Sequence, residues 1–238
     1  MPSGKRSYSG AFGGSQGSSK KARTGRRGGT ATKKNKFITG KSTRATFRYA
    51  ERITISGNAV EGALGTHVFS ANGCYDPNVT GVGNQPRGFD ELMALYDQYT
   101  VLNSKIEVRF ANQNVSSRPY VGIMVRDTNS ISSNVVDMME YSDSKVSHKP
   151  LARSGGGDAD ADLATFLSSS CNVASFAGSK DALDNPDLKG GAAKNPDEGI
   201  FYHICAGSVS DSSAVSVDAL VTITYDVILH EPKLPPPS

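Results

Sequence analysis

Side chains able to ligate a metal, attack a carbonyl or move a proton are few in this chain and widely scattered. The tightest group is Asp158, Asp160 and Asp162, three carboxylates on alternate positions after the glycine run 155–157. Alternating carboxylates on a loop offer the hard oxygen ligands that calcium takes, so the trio is a candidate calcium site. The EF-hand spacing fails, because Leu163 stands where its glycine belongs and Ser169 where its bidentate glutamate belongs. A solvated acidic loop is the plainer reading.

Other chemistries find less support. His67, His148, His203 and His230 form no His-x-His pair and no His-Glu-x-x-His motif, the spacings that would bring two imidazoles onto one metal. Residues 35–42 end in Gly40-Lys41-Ser42 like a phosphate-binding loop, but Asn35 stands where its first glycine belongs and no strand precedes it. Cys74, Cys171 and Cys205 are odd in number and far apart, which argues against a disulfide framework or a zinc site and for synthesis in a reducing compartment, the cytoplasm. His203 and Cys205 share one face of a strand, where packing explains both. No catalytic residue and no cofactor is assigned, and an enzyme is not expected.

The side chains with a clear chemical purpose are the bases. All thirteen lysines and arginines of the first 48 residues stand without one acid among them, whereas the other 190 residues hold thirteen bases against twenty-three acids. A segment of charge +13 is thus joined to a body of −10, and its natural partner is a polyanion. Lys5, Arg6, Lys20, Lys21, Arg23, Arg26, Arg27, Lys33, Lys34, Lys36, Lys41 and Arg44 are the candidate phosphate contacts. Each would release a condensed counterion, so binding would be sequence-blind and salt-sensitive. Lys20, Lys21, Arg23, Arg26 and Arg27 also read as a nuclear-import signal. Residues 1–42 are rich in Gly and Ser and hold few apolar side chains, too few to offset about 1–2 kcal/mol of backbone ordering per residue. A disordered, nucleic-acid-binding arm is predicted there.

The elements that would carry this arm are strands. From Val215 to Leu229 the apolar residues fall on every second position, with Ser216, Asp218, Thr222, Thr224 and Asp226 between them, which is the period of a strand with one buried face. Residues 45–55 alternate likewise except at Glu51, and Ile106, Val108 and Phe110 alternate with Lys105, Glu107 and Arg109. Residues 66–71, 120–126, 145–152, 165–170 and 200–206 complete eight strands. Phe89, Leu92, Met93 and Tyr96 recur at helical spacing, and a second short helix is predicted over 135–139. Eight strands with long, partly helical connections predict an all-β, antiparallel jelly roll over residues 43–231. Residues 232–238 read as an extended Pro-rich tail. Residues 73–85, 130–144 and 178–198 read as surface loops, the stretch 181–198 showing no packing pattern. No apolar run reaches the ~20 residues of a bilayer-spanning helix, no secretory signal is seen, and membrane insertion is not expected.

The passage from Asn84 to Phe110, NQPRGFDELMALYDQYTVLNSKIEVRF, resembles the helix-then-strand passage of capsid proteins from small circular Rep-encoding single-stranded DNA (circovirus-like) viruses. It is similar also to jelly-roll coat proteins of small RNA and satellite viruses. The basic arm, the opening strand and the closing strand follow in the order such a protein would have. This resemblance implies a capsid protein whose copies tile an icosahedral T=1 shell of 60, with arms turned inward onto a single-stranded genome, DNA being preferred. Sixty copies of the first 48 residues would bring roughly 780 positive charges, enough for a comparable number of phosphates. The implied partners are further copies of the chain, the genome, a host receptor and the import machinery. The implied locations are the virion and, during assembly, the host nucleus. The rival readings are a cellular nucleic-acid-binding β-domain with a basic arm and, behind it, a jelly-roll enzyme or ligand.

Overall fold

The computed structural model describes residues 40–57, 62–131, 134–141, 145–153, 162–208 and 214–234. Among these residues nine strands and three short helices follow in the order β1 (Ser42–Gly57), β2 (Leu64–Ser70), α1 (Phe89–Met93), β3 (Tyr96–Asn112), β4 (Pro119–Arg126), α2 (Val135–Glu140), β5 (Lys145–Pro150), β6 (Ala164–Asn172), α3 (Val173–Phe176), β7 (Lys189–Gly191), β8 (Phe201–Ser208) and β9 (Val215–Pro232). The strands form two sheets, one ordered β1-β9-β3-β6 with β7 added to β3, the other β2-β8-β4-β5. Every pairing is antiparallel. Apart from the short β7, the chain changes sheet at each connection except β4 to β5. Two Greek keys wound in this way make the expected jelly roll.

Alternation in the long strands places the core between the sheets. Phe47, Tyr49, Ile53 and Ile55 of β1, Ile106, Val108 and Phe110 of β3 and the seven odd-numbered residues Val217–Leu229 of β9 are buried, and face Phe69, Val121, Ile123, Tyr202 and Ile204 of the other sheet. Tyr225 also satisfies its hydroxyl, donating to the Ser70 carbonyl across the sandwich at 2.7 Å. A smaller cluster of Met124, Val135, Met138 and Cys205 lies on the other side of the second sheet, where α2 covers it. His203 and Cys205 do share that face, both buried, as their spacing on one strand requires.

The helices are set by local chemistry. Asn134 caps α2 by accepting from Val136 N at 2.7 Å, and Asn172 caps α3 by accepting from Ser175 N at 2.8 Å. Before α1 the chain turns at Gly88, whose φ of 84° is the left-handed conformation that favours glycine. α1 is shorter than its apolar spacing suggests: Tyr96 belongs to β3, where it pairs with Pro232 and is buried. The seventeen residues of β3 gain ladder hydrogen bonds with β9 that another helical turn would forgo.

Two surface-loop expectations are corrected. The stretch 181–198 is anchored rather than free. Ala182 and Leu188 join the core, Pro186–Leu188 forms a 3-10 turn capped by Asn185, and β7 adds to the edge of β3. Gly190 is buried there against the Tyr99 ring, which a Cβ would meet at 2.3 Å, so a glycine marks the close approach of two strands. The first half of 73–85 is also packed, with Gly73, Cys74, Pro77 and Asn78 buried, while residues 79–82 are exposed.

Candidate nucleic-acid interface

Of the bases assigned to phosphate, Lys5, Arg6, Lys20, Lys21, Arg23, Arg26, Arg27, Lys33, Lys34 and Lys36 lie outside the described residues. Lys41 and Arg44 are described. Lys41 is exposed immediately before β1, and Arg44 is exposed within it. The period of two then sets Arg44, Arg48 and Arg52 on the face of β1 turned away from the core. Lys105, Glu107 and Arg109 occupy the same face of β3, and Asp218 and Asp226 the same face of β9. No helix covers this face among the described residues, unlike the face beneath α2.

Three acids here are each held by a base. Arg44 forks onto Asp226, with Nε donating to Oδ1 at 2.7 Å and Nη2 to Oδ2. Arg52 Nη2 donates to Asp218 Oδ2, while Thr54 Oγ1 donates to Asp218 Oδ1 at 2.9 Å. Lys105 Nζ donates to Glu107 Oε1 at 2.6 Å. These bonds hold the carboxyls of Asp226, Asp218 and Glu107 below their ordinary pKa values, so all three are ionised at neutral pH. Solvent screens exposed pairs of this kind, so they add little to stability. Arg48 and Arg109 form no ion pair among the described residues; both lie within electrostatic reach of Glu107, which Lys105 already holds, so the face keeps a net positive charge. They were missed as candidate contacts although the alternation of Lys105, Glu107 and Arg109 with Ile106, Val108 and Phe110 already assigns Arg109 to the solvent side.

Glu51, which interrupts the alternation of β1, has a structural role. It points to the core side and accepts from Asn78 Nδ2 on both carboxylate oxygens, at 3.1 and 2.9 Å, and from the Tyr49 hydroxyl. Asn78 Oδ1 in turn accepts from Thr80 N at 3.1 Å and Thr80 Oγ1 at 2.8 Å, and lies 3.1 Å from His67 Nε2. The glutamate thus ties the β2–α1 connection to β1.

Among the described residues, the groups considered for catalysis or metal binding do not gather. Asp158 and Asp160 lie outside the described residues, and Asp162 is exposed, its carbonyl accepting from Ala152 N at 2.9 Å. No three His, Cys, Asp or Glu side chains converge on a metal position among the described residues. His203 Nε2 donates to the Thr128 carbonyl at 2.7 Å, His230 Nε2 sits 3.0 Å from Thr100 Oγ1, and His148 is exposed on β5. The three cysteines are buried and unbridged. Burial pushes the Cys171 thiol up to about 11 and those of Cys74 and Cys205 upward as well, the reverse of what a nucleophile needs. A cleft of about 530 Å³ beside Cys171 is lined also by Arg126, Asp127, Lys145 and Glu198 and brings no histidine to the thiol.

No protein-family model matches the chain, and no curated protein matches its sequence. Solved structures match it at low identity. Cocksfoot mottle virus is 10% identical with a TM-score of 0.44, the match covering 95% of this chain and 97% of that one. The BFDV capsid protein, solved as a 60-mer, is 12% identical with a TM-score of 0.41, covering 84% and 100%. Mud crab tombus-like virus is 10% identical with a TM-score of 0.38, covering 99% and 96%. All three matched structures are of viruses or of a viral capsid protein.

Proposed function

We propose that this chain is a viral capsid protein whose copies assemble into a small icosahedral shell and package a single-stranded genome, DNA by preference, through the basic arm of residues 1–42. The observation that carries the reading is the join itself: a run of thirteen bases without an acid leads into the first strand of a jelly roll, eleven of them before the strand and Arg44 and Arg48 within it. The positively charged arms of neighbouring copies repel one another until the phosphates of a nucleic acid neutralise them, so assembly is coupled to packaging. Lys5, Arg6, Lys20, Lys21, Arg23, Arg26, Arg27, Lys33, Lys34, Lys36, Lys41 and Arg44 contact phosphates in this reading. The cluster Lys20, Lys21, Arg23, Arg26 and Arg27 serves import into the host nucleus before assembly. Sixty is the number of copies that an icosahedral shell holds with every chain in an identical environment.

The test is sedimentation and electron microscopy of the full chain, with absorbance at 260 and 280 nm read across the same gradient. Closed particles of uniform size with raised absorbance at 260 nm are expected. A small oligomer at every salt concentration, with or without nucleic acid, would replace this reading with a cellular nucleic-acid-binding β-domain.

A further inference from the structure

We infer that the outer face of the β1-β9-β3-β6 sheet is a second contact surface for single-stranded nucleic acid, with Arg48 and Arg109 taking phosphates and Phe166 and Leu220 taking bases. The inference rests on the coat-protein reading and adds to it a site on the folded body, separate from the arm.

The register of the sheet brings the relevant side chains into rows. Arg52 of β1 stands opposite Leu220 of β9, Leu220 opposite Arg109 of β3, and Arg109 opposite Phe166 of β6. Cation and apolar group therefore alternate across four strands at about 4.8 Å per step. Leu220 is 52% exposed and Phe166 47%, high for large apolar side chains on ordered strands. About 13 Å along the strands, a parallel row carries Arg48, Thr224, Lys105 and Ser170. Between the two rows lies Glu107, the one acid of its own row, and Lys105 neutralises it.

The charge of the face runs against that of the body. The last 190 residues carry −10, yet on β1, β9, β3 and β6 this face sets five bases against three acids, each acid already held by a base, and β7 adds Lys189 opposite Thr100. What remains is the pair Arg48 and Arg109 beside two exposed apolar groups. Cations for the backbone next to an aromatic ring for bases is the combination that binds single strands without regard to sequence. The hydroxyls of Thr222, Thr224, Ser168 and Ser170 add small donors between the cations. Continuity supports the same occupant: Arg44 and Arg48 end the acid-free run that begins in the arm, so a strand bound there meets β1 next along the chain. An interface with a second copy is disfavoured, because two such faces would set Arg48 and Arg109 against their own images.

The test is a fluorescence-anisotropy titration of labelled dT30 with the full chain over a range of salt concentrations. Arg48→Ala with Arg109→Ala should lower the slope of log K against log salt by about 1.4, at about 0.7 per phosphate contact on a single strand. Phe166→Ala should weaken binding at fixed salt by at least about fivefold while leaving that slope in place. The control is Lys149→Ala with Lys180→Ala, which removes the same charge from exposed positions off this face. If the Arg48/Arg109 pair behaves as this control does while the wild-type chain binds dT30 and forms particles, the second surface is overturned and the coat-protein reading stands. If the wild-type chain does not bind dT30 in low salt, both fall. A changed sedimentation profile at an unchanged salt slope would assign the face to contacts between copies and overturn the inference. Should a variant fail to fold, photocross-linking of the wild-type chain to 4-thiothymidine-substituted dT30 decides: adducts in β3 and β6 support the surface, and adducts confined to residues 1–42 overturn it.

Discussion

Asn78 donates from one amide nitrogen to both carboxylate oxygens of Glu51, at 3.1 and 2.9 Å, and so fastens the connection after β2 to the inner side of β1. A half-buried carboxylate is tolerated there because its oxygens are occupied. Asn78→Ala should therefore destabilise the body by about 1–3 kcal/mol, since it strips Glu51 of these bonds and leaves no replacement. Urea unfolding of the variant beside wild type checks this, and an unchanged midpoint would show that water replaces the amide at no cost.

The pH dependence of stability has a stated sign. Burial lowers the pKa of His203, and the nearby Arg126 charge works the same way against the hydrogen bond to Thr128; burial and Lys189 lower that of His230, against Glu231. A histidine with a depressed folded-state pKa binds protons more readily when unfolded. Its contribution is complete above the ordinary value near 6.5 and is lost as pH falls below it. The carboxyls of Asp218, Asp226 and Glu107 are depressed below their ordinary values near 4, so their loss comes at lower pH. The melting temperature should thus fall between pH 6.5 and 5. His203→Gln, which keeps a donor for the Thr128 carbonyl, should flatten that fall, and an unaltered profile would clear His203 of the effect.

All three thiols should be inert in the native chain. Cys74, Cys171 and Cys205 are buried, with pKa values raised by desolvation, so the reactive thiolate is both scarce and inaccessible. Titration with Ellman's reagent should count close to no thiols at neutral pH and three in denaturant. A rapid stoichiometric reaction of the native chain would show that burial does not protect the thiols, Cys171 beside the cleft being the first to examine.

Removal of residues 2–40 should leave a folded body that does not package nucleic acid. Among the described residues the strands begin at Ser42, and none before Ala45 joins the core. Circular dichroism would show an intact cooperative transition, and particles from the truncated chain would have a protein-like 260/280 ratio. Full particles would remove the arm from the packaging role.

Breaking the Arg44–Asp226 pair should cost little. Both groups lie at the surface, and Asp226→Asn should change stability by less than about 1 kcal/mol. A larger loss in thermal denaturation would show that the fork positions the start of β1 rather than merely decorating it.

The jelly-roll class, most strand positions and the segregation of charge were legible in the residues alone. Each is a local property: the period of two in β1, β3 and β9 reports which face is buried, and a run of bases without acids is a composition. The second helix was legible for the same reason. What residue order could not decide was which distant residues meet. Asp226 lies 182 positions from Arg44, and only the antiparallel register of β1 with β9 turns them into a pair. Arg52, Leu220, Arg109 and Phe166 come from four strands and make a row only when those strands hydrogen-bond side by side. Glu51 read as a flaw in a strand until Asn78, a residue of another connection, was placed against it. Residues 181–198 read as loop because their burial comes from single residues, Ala182, Leu188 and Gly190, docking on β3 and the core without any repeating period. Periodicity encodes a face, whereas register and long-range docking are settled by the competition of whole sheets for the same core, and that competition exists only in the folded chain.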